Sequence, residues 1–207
     1  MLRVMRNDAL SVIVCGASGS IGVVQYLTWL RQEIDLPLRV LLTHNAERFV
    51  QPQALTWYAD EVYTSNDPGL NPTELARRSV GLVVLPASAN TLAAAASGLA
   101  ASPAQTAILA DERPALFFPS MNESMWAKPA TRRNVATLRA DGHTVVDPRQ
   151  SAVFELWSRE NAIGIAMLPP DEATEVIIAW LEQRMSIEDD SVEPDVETLT
   201  NEPAVMP

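Results

Sequence analysis

The chain has 207 residues, 47% of them hydrophobic, with 26 acidic against 15 basic residues and a formal net charge of −11. That length suits one domain of roughly 150 residues plus a tail, with apolar content enough for a packed core. The charge argues against nucleic acid and anionic membranes as main partners. No apolar run reaches the roughly 18 residues of a membrane span. The single Cys15 excludes an intramolecular disulfide framework and a Cys cluster for metal. With no signal-peptide pattern at the N-terminus, a cytoplasmic protein is the simplest expectation.

In chain order, Leu10 to Cys15 predicts a buried strand and Gly16-Ala17-Ser18-Gly19-Ser20 a tight turn. Ile21 to Gln32 has the apolar spacing of a helix. Leu38 to Thr43 predicts a strand, Asn45 to Tyr58 a helix broken near Pro52, and Glu61-Val62-Tyr63 a short strand. Val80 to Pro86 predicts the central buried strand, and Thr91 to Leu99 and Ala104 to Ala110 predict helices. Ala115 to Pro119 predicts a strand, Lys128 to Asp141 a helix stopped by Gly142, and His143 to Asp147 the last clear strand. Asp171 to Gln183 predicts a final amphipathic helix. Glu188-Asp189-Asp190, Glu193, Asp195, Glu197 and Glu202 crowd the C-terminal end. The expected organisation is therefore one domain over 1–185 and an acidic, disordered tail over 186–207. Strands alternating with helices imply a Rossmann-like (flavodoxin-like) α/β fold: a doubly wound parallel sheet in three α/β/α layers. Such sheets bind ligands at the carboxyl ends of their strands.

Three loops at strand ends carry candidate chemistry. The turn after the first strand reads either as a phosphate site at a helix N-terminus or as a plain strand-to-helix turn. It lacks the spaced-glycine dinucleotide fingerprint, which favours a mononucleotide over NAD. The loop Pro86-Ala87-Ser88-Ala89-Asn90-Thr91 offers small residues and polar groups to a planar ligand; Asn90 or Thr91 is equally placed to cap the next helix. The loop Pro119-Ser120-Met121-Asn122-Glu123-Ser124-Met125-Trp126 combines an apolar wall with one amide, and reads also as a core-packing loop with a capping Asn.

The last two loops together resemble the paired motifs of the homo-oligomeric flavin-containing cysteine decarboxylases. That family includes the lantibiotic peptidyl-cysteine decarboxylases of the epidermin and mersacidin type and phosphopantothenoylcysteine decarboxylase. The resemblance runs to about Pro170 and implies bound FMN. It places Gly19, Ser20 and Ile21 near the flavin phosphate. Thr43, Ala46 and Phe49 match a Ser/Thr-x-x-Ala-x-x-Phe pattern in which Thr43 contacts FMN and Phe49 packs near its ring. Pro86, Ala87, Ser88, Ala89, Asn90 and Thr91 would hold the isoalloxazine edge. Asn122 would bind the substrate carboxylate, with Met125 and Trp126 beside it. Ser151 to Glu155, and Phe154 within it, loosely resemble the peptide-binding clamp. Flavin sites at subunit contacts of a homotrimer or homododecamer are implied.

Two departures bear on the substrate. Where relatives carry an active-site His, this chain has Pro72 in Asn71-Pro72-Thr73; His44 is the substitute candidate for catalysis, against an ordinary exposed loop histidine. The late Cys of the coenzyme A enzymes is missing. The implied reaction is oxidative decarboxylation of a precursor peptide's C-terminal cysteine to an enethiol, as in lantibiotic biosynthesis. The alternatives are a non-catalytic FMN-binding regulatory subunit, phosphopantothenoylcysteine decarboxylase, and a flavin prenyltransferase.

Overall fold

A computed structural model describes residues 8–155 and 158–190, with side chains to Arg184. Six strands form one sheet: β1 (Ala9–Val14), β2 (Leu38–Leu42), β3 (Glu61–Thr64), β4 (Ser79–Ala87), β5 (Leu116–Pro119) and β6 (Thr144–Val145). Their order is β3-β2-β1-β4-β5-β6 and every pairing is parallel. This is the doubly wound order, whose direction of winding reverses between β1 and β4.

Both faces of the sheet are covered, so its strands are near-continuous apolar runs rather than alternating ones. On one face Leu10, Val12 and Val14 pack against α1 (Val23–Glu33) and α8 (Pro170–Asp190), through Leu27, Leu30, Ile177 and Trp180. On the other, Ile13, Leu82, Val84 and Phe117 pack against α3 (Pro72–Arg77), α4 (Ala89–Ala96), α5 (Pro103–Ala110) and α7 (Pro129–Ala140). The one polar side chain buried inside β1, Ser11, meets Ser79 Oγ at 2.6 Å, which satisfies both hydroxyls.

Several elements depart from the sequence expectations. The helix expected over Asn45 to Tyr58 is a 3-10 turn, Ala46–Arg48, followed by the short α2 (Pro52–Leu55), because Pro52 cannot continue a helix from its N-terminal side. The first helix opens with a 3-10 turn, Ser18–Gly22. Three pieces have no counterpart among those expectations: α3, α6 (Glu123–Trp126), and an antiparallel hairpin of β7 (Arg149–Glu155) and β8 (Glu160–Ala166) outside the main sheet. The final helix runs to Asp190, past the expected boundary at 185, since no Gly or Pro interrupts the chain before Pro194. The rest of the expected tail lies outside the described residues.

Candidate active site

A cleft of about 530 Å³ opens beyond the carboxyl ends of β1, β2, β3 and β4, beside the winding reversal. Gly16, Thr43, His44 and the Ser88–Thr91 loop line one part of it, and Met125 closes one side. Its size falls in the range of small-molecule and cofactor sites, about 300–1,000 Å³. Sequence reasoning missed Asn45, Ser65, Asn66 and the segment 101–105, which also line it. Ser65 and Asn66 were findable, because they follow β3 at its carboxyl end.

The glycines of the first turn are needed for close approach. A Cβ on Gly16 would lie 2.4 Å from Asn45 Cβ, and one on Gly19 would lie 2.7 Å from Ser120 Oγ. The β1 turn is thus clamped between the β2 and β5 loops. The hydroxyl of Ser20 is not offered to a ligand: it is buried and donates to the Cys15 carbonyl at 2.5 Å. A phosphate there would be met instead by the Ser18 and Gly19 N–H groups, since the Ser20 N–H already donates to the Ala17 carbonyl at 2.9 Å. Ile21 is 66% exposed and Phe49 41% exposed, both outside the cleft lining.

At the end of β4, Pro86 and Ala87 are buried in the sheet, the Leu85–Pro86 peptide is cis, and their carbonyls accept from Cys15 N–H (3.2 Å) and Ser120 N–H (2.9 Å). These two residues therefore shape the loop from behind, while Ser88, Ala89, Asn90 and Thr91 face the cleft. The cap of α4 falls on Ser88, not on Asn90 or Thr91: Ser88 Oγ accepts from Thr91 N–H at 3.3 Å and lies 3.0 Å from Thr91 Oγ1. Thr91 in turn donates to Cys15 Sγ at 3.1 Å. Burial pushes the Cys15 thiol above its ordinary pKa, so it stays a protonated, sealed group. Asn90 is exposed and lines the cleft.

Asn122 does two things at once. Its Oδ1 accepts from Met125 N–H at 2.8 Å and from Ser124 Oγ at 2.9 Å, which caps α6. Both interactions use the acceptor half of the amide. The Nδ2 donors are left on an exposed side chain, able to meet a carboxylate without adding charge. Trp126, expected against substrate, is only 9% exposed and packs in the core, with the Arg132 guanidinium 5.1 Å from its ring centroid. It supports the loop and leaves the apolar wall to Met125, which is 42% exposed. Phe154 lies on the hairpin, 57% exposed, away from the cleft lining. Pro72 opens α3 behind the Asn71 cap, a position where the missing N–H costs nothing, and does not line the cleft.

A doubly wound sheet with a cleft of small, uncharged groups at its winding reversal is the arrangement of the nucleotide-cofactor-binding class. The donor set suits a planar, polar ring such as a flavin. The Flavoprotein family model matches residues 2–182, and the chain belongs to that family. It is 28% identical over 186 residues to the mersacidin decarboxylase of a Bacillus species, covering 88% of this chain and 95% of the relative. It is 32% identical over 151 residues to a probable phosphopantothenoylcysteine decarboxylase of Streptococcus mutans, covering 68% of this chain and 84% of the relative. A solved structure of the peptidyl-cysteine decarboxylase EpiD with the substrate peptide DSYTC aligns with a TM-score of 0.77 at 25% identity, covering 83% of this chain and 98% of that one. The chain is thus a flavoprotein with the sequence and fold of the flavin-dependent cysteine decarboxylases, as its motifs implied.

Proposed function

We propose that this protein binds FMN and oxidatively decarboxylates the C-terminal cysteine of a ribosomally made precursor peptide. The enethiol product would suit ring closure to an aminovinyl-cysteine in a lantibiotic-type natural product. The observation that carries this reading is the divided amide of Asn122, which holds its own loop through Oδ1 and keeps Nδ2 for a carboxylate.

FMN would be held by the Ser88–Thr91 loop and Thr43, which line the cleft, and by the opening turn of the first helix. When bound, FMN would supply the two-electron oxidation of the cysteinyl CH2–SH on which loss of carbon dioxide depends. Asn122 orients the substrate carboxylate until it leaves. Met125 covers the reacting end and excludes water on that side. His44 lines the cleft and is the side chain there that would take the thiol proton. Phe154 and Ile163, exposed on the β7–β8 hairpin, offer apolar contacts to a peptide. The exposed Ile21, Phe49 and Trp57 support assembly into trimers or dodecamers that complete the flavin site. The sealed Cys15 cannot reduce the product, which favours a product that stays oxidised over the coenzyme A precursor reaction.

The test is incubation of the FMN-loaded protein with Cys-terminated peptides and, separately, with phosphopantothenoylcysteine, read by mass spectrometry. Loss of carbon dioxide plus two hydrogens from the peptides is the expected result. Turnover of phosphopantothenoylcysteine alone would overturn the peptide reading. Pro72, which cannot transfer protons, favours a second reading as an FMN-binding regulatory subunit; a yellow protein that leaves every substrate intact would establish it.

A further inference from the structure

Lys128, Arg132 and Arg133 stand together at the start of α7. All three are exposed, and none has an acidic partner among the described residues. Elsewhere Arg31, Arg39, Arg78, Arg113, Arg139 and Arg149 each meet a carboxylate, and the exposed Arg48, Arg77 and Arg159, which have no ion pair among the described residues, are scattered along the chain rather than clustered. The arrangement is unfavourable in isolation, because cations at a helix N-terminus oppose its dipole. No acidic side chain occupies the first turn of α7 to offset them. In a chain of net charge −11, a concentration of unpaired positive charge at this end of a helix marks a place for an external anion.

The cluster is also tied to the site. Thr131 Oγ1 donates to the Met125 carbonyl at 2.7 Å, and Arg132 lies over the Trp126 ring at 5.1 Å. The start of α7 is therefore fixed against the loop that carries Asn122. The only acid in this stretch is the exposed Glu123, one residue from Asn122, so charge changes sign along the path from Asn122 to α7.

We propose that Lys128, Arg132 and Arg133 form an electrostatic subsite for acidic residues of the substrate peptide, upstream of the C-terminal cysteine held by Asn122. This rests on the peptide reading above. An extended peptide advances roughly 3.3 Å per residue, so acids two to five residues before the cysteine would lie roughly 7–17 Å from it, and these are the positions we assign to the subsite. The subsite selects among peptides and leaves the chemistry to the cleft; the three residues are specificity determinants, not catalytic ones.

The experiment uses the FMN-loaded protein and two otherwise identical Cys-terminated peptides, carrying either Asp or Asn at the positions two to five before the cysteine. At low salt the acidic peptide should be preferred by about tenfold in kcat/KM, mainly through KM, from several exposed ion pairs acting together. The preference should vanish near 0.5 M salt, where the screening length is only about 4 Å. Lys128→Glu combined with Arg133→Glu should reverse the preference, and fluorescence anisotropy of labelled peptides should show the same reversal in binding. These changes favour the helix dipole, so α7 should persist. Turnover of both peptides with equal kcat/KM at low salt, or a preference that survives the double charge reversal, overturns the subsite while leaving the peptide reading intact. No turnover of either peptide overturns both.

Discussion

Replacing Asn122 by Asp separates its two tasks. A carboxylate at this position still accepts from Met125 N–H, now at 2.8 Å, and sits favourably at the start of α6. Stability should therefore change by less than about 1 kcal/mol. The donor to the substrate carboxylate is lost, which costs about 1.5–3 kcal/mol for a hydrogen bond to a charged group. Two carboxylates about 4 Å apart add repulsion of about 4 kcal/mol at an effective dielectric near 20. Together these lower kcat/KM by more than about a thousandfold. Asn122→Ala loses the donor without the repulsion, so its activity should fall only about ten- to a hundredfold. It also loses the cap, at about 1 kcal/mol. The two variants should thus rank oppositely: Asp the more stable, Ala the more active. The assay is decarboxylation of a Cys-terminated peptide followed by mass, beside thermal melts and flavin absorbance of each variant. An Asp variant more active than the Ala variant would refute the role of Asn122 as carboxylate handle.

Three further outcomes rest on the framework of the fold. Gly81→Ala would place a Cβ 2.7 Å from Trp180 Cζ3 and 2.8 Å from Leu181 Cδ2. The displaced α8 should cost about 1–3 kcal/mol in urea unfolding, and a neutral result would mean that α8 yields freely. Arg39 has a side chain only 3% exposed, and it meets Glu61 through Nε at 3.0 Å and through Nη2 at 3.2 Å. Glu61→Gln should cost about 1–3 kcal/mol, less than for a fully buried pair because Glu61 is partly open to water; adding Arg39→Met should recover much of it. His143 accepts from Ala115 N–H at Nδ1 (2.9 Å), and burial pushes its pKa below the ordinary value, with Asp141 and Asp111 pulling it partly back. The fold therefore prefers the neutral ring. Its contribution is complete above the unfolded value of about 6.5 and is lost as pH falls through the lower folded value. His143→Gln should flatten the melting temperature across that window, and an unchanged slope would exclude the assignment.

Much of this molecule is written locally. A strand buried on both faces must be apolar along its length, so Leu10 to Cys15, Val80 to Pro86 and Ala115 to Pro119 identify themselves without reference to their neighbours. A parallel sheet needs a crossover between such strands, and the order of runs and helices leaves few other folds. The small polar residues at the strand ends likewise mark the cleft without knowledge of its walls. The short pieces are harder. α3 has six residues and α6 four, too few for a periodic pattern, although Asn71-Pro72 is a legible helix start. The β7–β8 hairpin keeps most of its residues exposed or half-buried, so no apolar run announces it.

Which way each polar side chain turns is not written locally. Thr91 faces Cys15, 76 residues earlier in the chain, and Ser11 meets Ser79, 68 residues later, while Asn90 and Asn122 remain exposed. Trp126 is an anchor beneath Arg132 rather than a contact surface. Local pattern is enough to set the layers, the strand ends and the residue types available there. Which of those groups stay free for a ligand depends on packing, because a buried hydroxyl or amide must find its hydrogen-bond partner, and here several partners come close only where distant strands pack together.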